Sequence, residues 1–270
     1  MKIADFEVAE TIVERLQTAR SLVIFTGAGI SAESGIPTFR DPLTGLWENY
    51  DAEELASRGA FKLDPALVWG WYEWRRMIMQ RAQPNPGHLA IADLYNRVDR
   101  LVVITQNVDD LHERAGSLDV LHLHGRLSKA SCFACRRPYT FPPGALTEPE
   151  SGWRIEPPRC NRCGGRIRPG VLWFGEMLPD IEWDAANHAA YSCDALLCIG
   201  TSAFVQPAAR LPNLAIQRGA ITVQINPSPT SLDSRVTLNL PGPAGIVLPA
   251  LVNAIWPPRA PKGADVLTAV

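Results

Sequence analysis

The chain has 270 residues, enough for one large domain or one domain with a small insert, and its 46% hydrophobic and 20% charged residues are an ordinary globular balance. A net charge of −2 makes no electrostatic case for nucleic acid or an anionic membrane surface, and no apolar run approaches the length of a membrane span. The first residues carry Asp5 and Glu7 without an apolar signal core, and two Cys-x-x-Cys pairs suit metal binding better than disulfides, so a cytoplasmic protein is expected.

Phe6, Val8, Ala9, Ile12, Val13 and Leu16 recur at helical spacing and predict an amphipathic helix over 6–19. The apolar run from Leu22 to Thr26 predicts a buried strand, which breaks at Gly27-Ala28-Gly29 and continues into small residues able to open a helix. A strand, a glycine turn and a helix N-terminus form an anion site: glycine lets backbone approach a phosphate, and the N–H groups and helix dipole favour its charge. The spacing is G-x-G-x-x-A with Ala32 in the third place, a short pattern that also occurs in structural turns. After Pro37 comes a loop punctuated by Pro42 and Gly45. Residues 51–82 then predict helix, with Pro65 at a helix start and Trp69, Trp71, Tyr72 and Trp74 close together. Pro84-Asn85-Pro86-Gly87 ends that segment, and His88 to Tyr95 forms a short helix. Leu101 to Thr105 is a second buried strand, and the polar Gln106-Asn107-Val108-Asp109-Asp110 after it belongs at the carboxyl edge of a parallel sheet. Val120 to Gly125 predicts a third, shorter strand. Residues 128–170 are rich in Cys, Pro, Arg and Gly. The runs 195–200 and 221–226 restore the strand-then-turn pattern, and Leu248 to Ile255 closes the fold as a helix.

The expected architecture is α/β, a Rossmann-like doubly wound parallel sheet built from 1–38, 96–127 and 171–256. A cofactor loop and helical insert occupy 39–95, a zinc-binding insert of ribbon type 128–170, and a tail 257–270. Ligand binding is expected between the sheet edge and its inserts.

Cys132-x-x-Cys135 and Cys160-x-x-Cys163, with residues 136–159 between them, can place four thiolates tetrahedrally around zinc. Four thiolates fill the coordination sphere, so the zinc is structural. Arg136, Arg137, Arg159, Arg162, Arg166 and Arg168 surround the pairs and either offset their charge or contact a partner. Cys193 and Cys198 read as small core residues. His124 ends a strand near Asn107 and Asp109, where it is either a general base or a histidine hydrogen-bonded for structure. No Gly-x-Ser-x-Gly elbow is present, which argues against a covalent hydrolase. The ribose-binding acid of a dehydrogenase, about 20 residues past the glycines, is also missing, and only Ile225-Asn226-Pro227 resembles a ribose-side strand end.

Gly27 to Ser31 through Pro37-Thr38-Phe39-Arg40, then Thr105 to Asp109, His124-Gly125, the paired Cys-x-x-Cys, Trp173-Phe174-Gly175-Glu176, Gly200-Thr201-Ser202 and Ile225-Asn226-Pro227 occur in the order of the sirtuin family. The chain resembles that family over about residues 10–255. The resemblance implies an NAD-consuming lysine deacylase in which the acyl oxygen attacks NAD as nicotinamide leaves, a histidine activates a ribose hydroxyl, and O-acyl-ADP-ribose is released. It implies that Gly27, Ala28, Gly29 and Ile30 hold the diphosphate and that Phe39 and Arg40 lie on the cofactor loop. Gln106, Asn107, Val108 and Asp109 surround the nicotinamide and its ribose, with Asn107 and Asp109 in catalytic roles. His124 is the general base, and Gly200, Thr201, Ser202, Asn226, Pro227 and Ala244 take the adenosine side. Val171, Trp173, Phe174 and Gly175 lie on the strand that pairs with the substrate backbone, a mode that reads little sequence. Gln206 stands where many relatives carry an aromatic residue or histidine, which bears on peptide preference.

Tyr72 and Arg75 are three apart and share a helix face, and a phenol beside a guanidinium can bind a carboxylate. On spacing alone, Tyr72 packing among aromatics and Arg75 as a solvated charge is the favoured reading. The segment, however, resembles the Y-x-x-R signature of class III sirtuins, which implies desuccinylase and demalonylase activity above deacetylase activity; Ala56, Gly59 and Ala60 lie where such enzymes keep a small residue. Acyl-lysine proteins are the expected partners of a monomer, without direct nucleic-acid or membrane contact. The alternatives are a plain deacetylase or mono-ADP-ribosyltransferase and, in a different class, a non-catalytic zinc-ribbon binding module.

Overall fold

A computed structural model describes residues 1–38, 47–48, 50–144, 146–149 and 152–258. A short antiparallel pair, β1 (Lys2–Ile3) and β2 (Phe6–Glu7), leads into helix α1 (Glu10–Gln17). Strand β3 (Ser21–Thr26) runs into the one-turn helix α2 (Gly29–Ala32). The helical insert contains α3 (Ala52–Leu55), α4 (Arg58–Leu63) and α5 (Pro65–Arg81), followed by α6 (Pro86–Leu94). Next come β4 (Arg100–Thr105), α7 (Leu111–Arg114) and β5 (Leu121–His122), then β6 (Gly125–Cys132), β7 (Pro138–Tyr139) and β8 (Ile167–Val171). The chain finishes with α8 (Asp180–Ser192), β9 (Ala195–Ile199), α9 (Arg210–Gln217), β10 (Ile221–Ile225), β11 (Leu238–Leu240) and α10 (Ala244–Ile255).

The apolar runs become strands buried on both sides, as a helix-covered parallel sheet requires. All neighbours in the central sheet are parallel, in the order β11-β10-β9-β3-β4-β5. Alternation sorts each strand between two cores. Leu22 and Ile24 of β3 join Leu197 and Ile199 of β9 in a cluster with α1, α6 and α10. Val23 and Phe25 join Leu196 and Cys198 in a second cluster with α8 and α9. A third, aromatic core binds the helical insert to the antiparallel sheet β7-β6-β8 through Phe61, Trp69, Trp71, Trp153 and Trp173. The expected Rossmann-like doubly wound sheet with a helical and a cysteine-bearing insert is the observed architecture.

Several element boundaries differ from the sequence reading. The helix expected over 6–19 is confined to α1, because Phe6 pairs with Ile3 in the hairpin instead. The helical region 51–82 breaks at Ala56-Ser57 and at Asp64, whose side chain accepts from the Leu67 N–H and caps α5 with Pro65 at its start. The third strand is only Leu121–His122, and His124 lies in the turn beyond it. The closing helix starts at Ala244 rather than Leu248, with Pro249 inside it and Glu33 accepting from the Gly245 N–H. Helices α8 and α9 and the edge strand β11 were not anticipated.

Candidate active site

The strand order turns around between β3 and β9, the place where open α/β sheets leave a crevice at their carboxyl ends. The two glycine loops that leave these strands are pressed backbone to backbone. The Gly27 N–H donates to Ile199 O at 3.0 Å and the Gly29 N–H to Gly200 O at 2.8 Å. A Cβ on Gly29 would lie 2.8 Å from Gly200 Cα, and one on Gly200, whose φ is +59°, would lie 2.3 Å from Ile30 N. Part of the glycine signature therefore serves loop-on-loop packing. Asn226 adds a second tie, donating to Ser228 O at 3.0 Å and reaching Thr201 O at 3.5 Å, with Pro227 next in chain. Gln106 donates to Thr201 Oγ1 at 2.8 Å, so the ends of β4 and β9 are linked beside Ser202. Ala244 is buried at the first turn of α10, against the α6 start at Gly87. Phe39 and Arg40 lie outside the described residues.

Ser31 joins the strand ends into one buried polar group. Its hydroxyl donates to Asp109 Oδ2 at 3.0 Å, accepts from Asn107 Nδ2 at 3.1 Å, and lies 3.5 Å from His88 Nε2. His88 Nδ1 accepts from the Asn85 N–H, which leaves Nε2–H as the donor toward Ser31. Burial raises the Asp109 pKa, against the pull of the Leu111 N–H and the Ser31 hydroxyl. A second chain runs beneath: Thr26 Oγ1 donates to Thr105 Oγ1 at 2.8 Å, His112 Nε2 lies 3.0 Å from Thr26 Oγ1, and the Asn107 N–H donates to Thr105 Oγ1. Burial lowers His88 to about 4 and, with His88 nearby, lowers His112 to about 3, so both rings are neutral.

His124 is held by its backbone and by one ring nitrogen. Leu172 N–H donates to its carbonyl at 2.8 Å, and the next residue, Gly125, sits at φ +76° where a Cβ would meet Gly170 O at 2.3 Å. Its Nδ1 is 3.0 Å from Gln106 O. A carbonyl only accepts, so Nδ1 carries the proton and Nε2 keeps its lone pair. Burial pushes the His124 pKa down, with the Gln106 hydrogen bond pulling it back up. The tautomer and the neutral state are those of a base acting through Nε2.

Tyr72 and Arg75 stand together on α5. Tyr72 is buried, edge-on to Trp71 at 4.6 Å, and Arg75 lies over the same indole at 5.1 Å. Burial raises the phenol pKa while Arg75 lowers it, so the hydroxyl remains a donor. Burial also lowers Arg75, opposed by Tyr72 and Asp109, and the guanidinium borders a small pocket with Ile36, Thr38, Ala52 and Trp74. The segment 171–175 is less strand-like than expected. Val171 ends β8 against Gly125, and beyond it Phe174 alone bridges to Ser57, its N–H donating to Ala56 O. Trp173 is 1% exposed, with its ring in the aromatic core and its N–H bonded to Glu176 Oε2. That backbone N–H, like the Phe174 N–H on Ala56 O, is therefore already taken and not available to a peptide, although Phe174 and Gly175 are exposed. Arg168 holds the turn with two hydrogen bonds to Glu176 and lies 3.7 Å over the Trp173 ring.

At the far end of the β6–β8 sheet, the Sγ atoms of Cys132, Cys135, Cys160 and Cys163 lie within 4.8 Å of one another. Cys132 and Cys163 are 3.5 Å apart and Cys135 and Cys160 3.7 Å apart. A tetrahedral zinc with bonds of about 2.3 Å needs sulfurs about 3.8 Å apart, so the set fits a structural zinc. The sequence reading singled out the cysteines, Asn107, Asp109 and His124 but passed over Ser31, His88, His112, Thr26 and Thr105. Ser31 stood in the glycine motif itself. The threonines closing both strands were the available signal for the rest, since a polar residue ending an apolar run must find a partner at the sheet edge.

A doubly wound sheet with a buried Ser–Asn–Asp cluster, a neutral histidine and a four-cysteine insert defines a nucleotide-binding α/β protein equipped for proton transfer. The chain belongs to the Sir2 family, whose pattern it matches over residues 27–207. It is 58% identical over 249 residues to an NAD-dependent protein deacylase of Methylococcus capsulatus, covering 92% of this chain and 98% of that one. It is 57% identical over 246 residues to NAD-dependent protein deacylase 1 of Pseudomonas aeruginosa, covering 91% and 98%. Among solved structures, the complex of a Sir2 homolog with NAD matches with a TM-score of 0.84 and 44% identity, over 92% of this chain and 94% of that one. A Sir2–p53 peptide–NAD+ complex matches with a TM-score of 0.75 and 29% identity, over 93% and 97%.

Proposed function

We propose that this chain removes succinyl and malonyl groups from protein lysines in preference to acetyl groups, with NAD consumed as co-substrate. The chain is an NAD-dependent protein deacylase with a structural zinc. This follows from its family and from relatives at 57–58% identity that carry that name. The residues present suit NAD: closely packed glycine loops at the strand switch for the diphosphate, Asn226 on the adenosine side, and Ser31, Asn107 and Asp109 at the other end. When bound, NAD supplies the nicotinamide–ribose bond that is broken and the ribose that accepts the acyl group. Asn107 and Asp109 orient that end through the Ser31 hydroxyl. His124 takes a hydroxyl proton at Nε2 while Nδ1–H stays on Gln106 O.

The observation that carries the acyl preference is the pairing of Tyr72 and Arg75 on one face of α5, one a protonated phenol and the other a guanidinium, both packed on the Trp71 indole. A carboxylate at the end of the acyl chain would take charge-assisted hydrogen bonds from both, and an acetyl group would take neither. Steady-state comparison of succinyl-, malonyl- and acetyl-lysine peptides tests this, with higher kcat/KM expected for the two acidic acyl groups. Arg75→Met is expected to lose succinyl activity by on the order of 100-fold, about 3 kcal/mol, with much less effect on acetyl activity. An unchanged succinyl-to-acetyl ratio removes Arg75 from the site. Mass spectrometry separates the activities: O-acyl-ADP-ribose marks a deacylase, and ADP-ribosylated protein a transferase.

A further inference from the structure

Two histidines, two residues apart, hold two successive carbonyls. His124 Nδ1 lies 3.0 Å from Gln106 O, and His122 Nδ1 lies 3.1 Å from Asn107 O. His122 ends β5, paired in register with Thr105, and His124 lies in the turn just beyond it, so both rings reach the segment that leaves β4. The rings differ at the other nitrogen. His124 keeps a lone pair on Nε2. His122, 4% exposed, places Nε2 2.8 Å from Glu113 Oε1, and the same oxygen takes Arg126 Nη1 at 3.2 Å. Burial pushes the Glu113 carboxyl up, but the hydrogen bond and charge of His122 outweigh it together with Arg126, and Glu113 is held below the usual carboxylate range. A carbonyl only accepts, so the ring reaches Asn107 O through a proton on Nδ1, while Nε2 faces the Glu113 carboxylate.

We propose that Glu113 and His122 are a positioning pair for this active site: the ring, anchored on Glu113, fixes the Asn107 carbonyl and with it the 106–109 segment that presents Asn107 and Asp109. The inference rests on the reading of Asn107 and Asp109 as groups of the nicotinamide end. Neither member of the pair touches the reacting atoms. Asn107 has two anchors besides this one, its N–H on Thr105 Oγ1 and its side chain on Ser31 Oγ. The His122 bond is the one that sets the tilt of the 107–108 peptide plane. Without it the carbonyl is a buried acceptor with no partner, and the plane turns to find one.

The test uses the full, zinc-loaded chain with NAD and succinyl- and acetyl-lysine peptides. His122→Leu is expected to lower kcat for nicotinamide release by about 10- to 100-fold, as loss of a group that orients active-site residues does, with KM for the peptide unchanged. His122→Asn, whose amide can still donate to Asn107 O, is expected to recover most of that kcat, and Glu113→Gln to fall between. Wild-type kcat in His122→Leu, or equal losses in His122→Leu and His122→Asn, overturns the pair. Nitrogen-15 NMR of the wild-type histidines gives a readout independent of turnover and of whether His122→Leu folds. His122 is expected to show a proton bonded at Nδ1, with the Nε2 signal shifted in Glu113→Gln, and an Nδ1 without a bonded proton or an Nε2 signal unmoved in Glu113→Gln overturns the proposal. Wild-type chain that releases no nicotinamide with any peptide would count against the deacylase reading instead, and the NMR result would still decide the pair.

Discussion

At the level of single residues, burial in this site keeps the imidazoles of His88, His112 and His124 neutral. His124 has its one ring proton on Gln106 O and its pKa pushed below the ordinary histidine value, so the base form persists into mildly acidic solution. The acid limb of the kcat profile is therefore expected below pH 6.5, and His124→Ala is expected to abolish turnover while calorimetry still detects NAD binding. His88 and His112 carry the same effect into stability. Their folded values of about 4 and about 3 lie below the ordinary 6.5, so between those limits the unfolded chain binds more protons than the folded one. Their contribution is complete above about pH 6.5 and is lost as pH falls toward 4 and then 3. The melting temperature should drop between pH 7 and 5, and less steeply in His112→Gln. A melting temperature independent of pH over that range would contradict the burial argument.

At the level of elements, the glycine loops after β3 and β9 are the point of least tolerance. Gly200 needs both a positive φ of +59° and space that Ile30 N occupies at 2.3 Å from an added Cβ. Gly200→Ala should cost about 2 kcal/mol or more, read as a lower urea midpoint with an unchanged slope, and should weaken NAD binding beyond the stability loss. A midpoint equal to wild type would mean that the two loops move apart at little cost. The same packing explains why the glycine pattern was ambiguous in the sequence. Gly27 and Gly29 are required by the neighbouring loop, so the motif reports a strand switch before it reports a ligand. A helix start was legible where a proline marks it, as at Pro65, whereas α6 begins at Pro86 under an Asn85 cap, two residues before the expected His88. The start was not legible in α10, where Pro249 lies inside a helix that begins at Ala244 and lies in the sheet's apolar core.

At the level of the whole molecule, the central sheet has a core on each face, while the two inserts share a third. The zinc cysteines Cys132 and Cys160 belong to that third core, as do Trp71, Tyr72 and Trp173. Arg76 fastens the same region, pairing with Glu73 at 2.7 Å and lying 3.9 Å over Phe141. Zinc removal is therefore expected to reach α5, which carries Tyr72 and Arg75, without melting the sheet. Hydrogen exchange after chelation should show lost protection in β6, β8 and α5 and retained protection in β3 and β9, together with loss of deacylase activity. Uniform loss across all three regions would show one cooperative unit.

The sequence by itself determined the class of fold, the metal and the principal polar residues. Buried parallel strands must be continuous apolar runs, Cys-x-x-Cys spacing is set by the geometry of a metal knuckle, and polar residues straight after such strands have only the sheet edge to occupy. Tertiary structure alone decided what depends on residues far apart in the chain. It joined Ser31, Asn107, Asp109 and His88 in one cluster, used the Trp173 N–H within its own turn, and set the His124 proton on Gln106 O. It also placed Glu113 against His122 on the second ring nitrogen, which made one histidine of the His122-Leu123-His124 run a candidate base and the other a candidate brace. Hydrogen-bond partners fix tautomer and charge, and partners are a property of the fold rather than of sequence spacing.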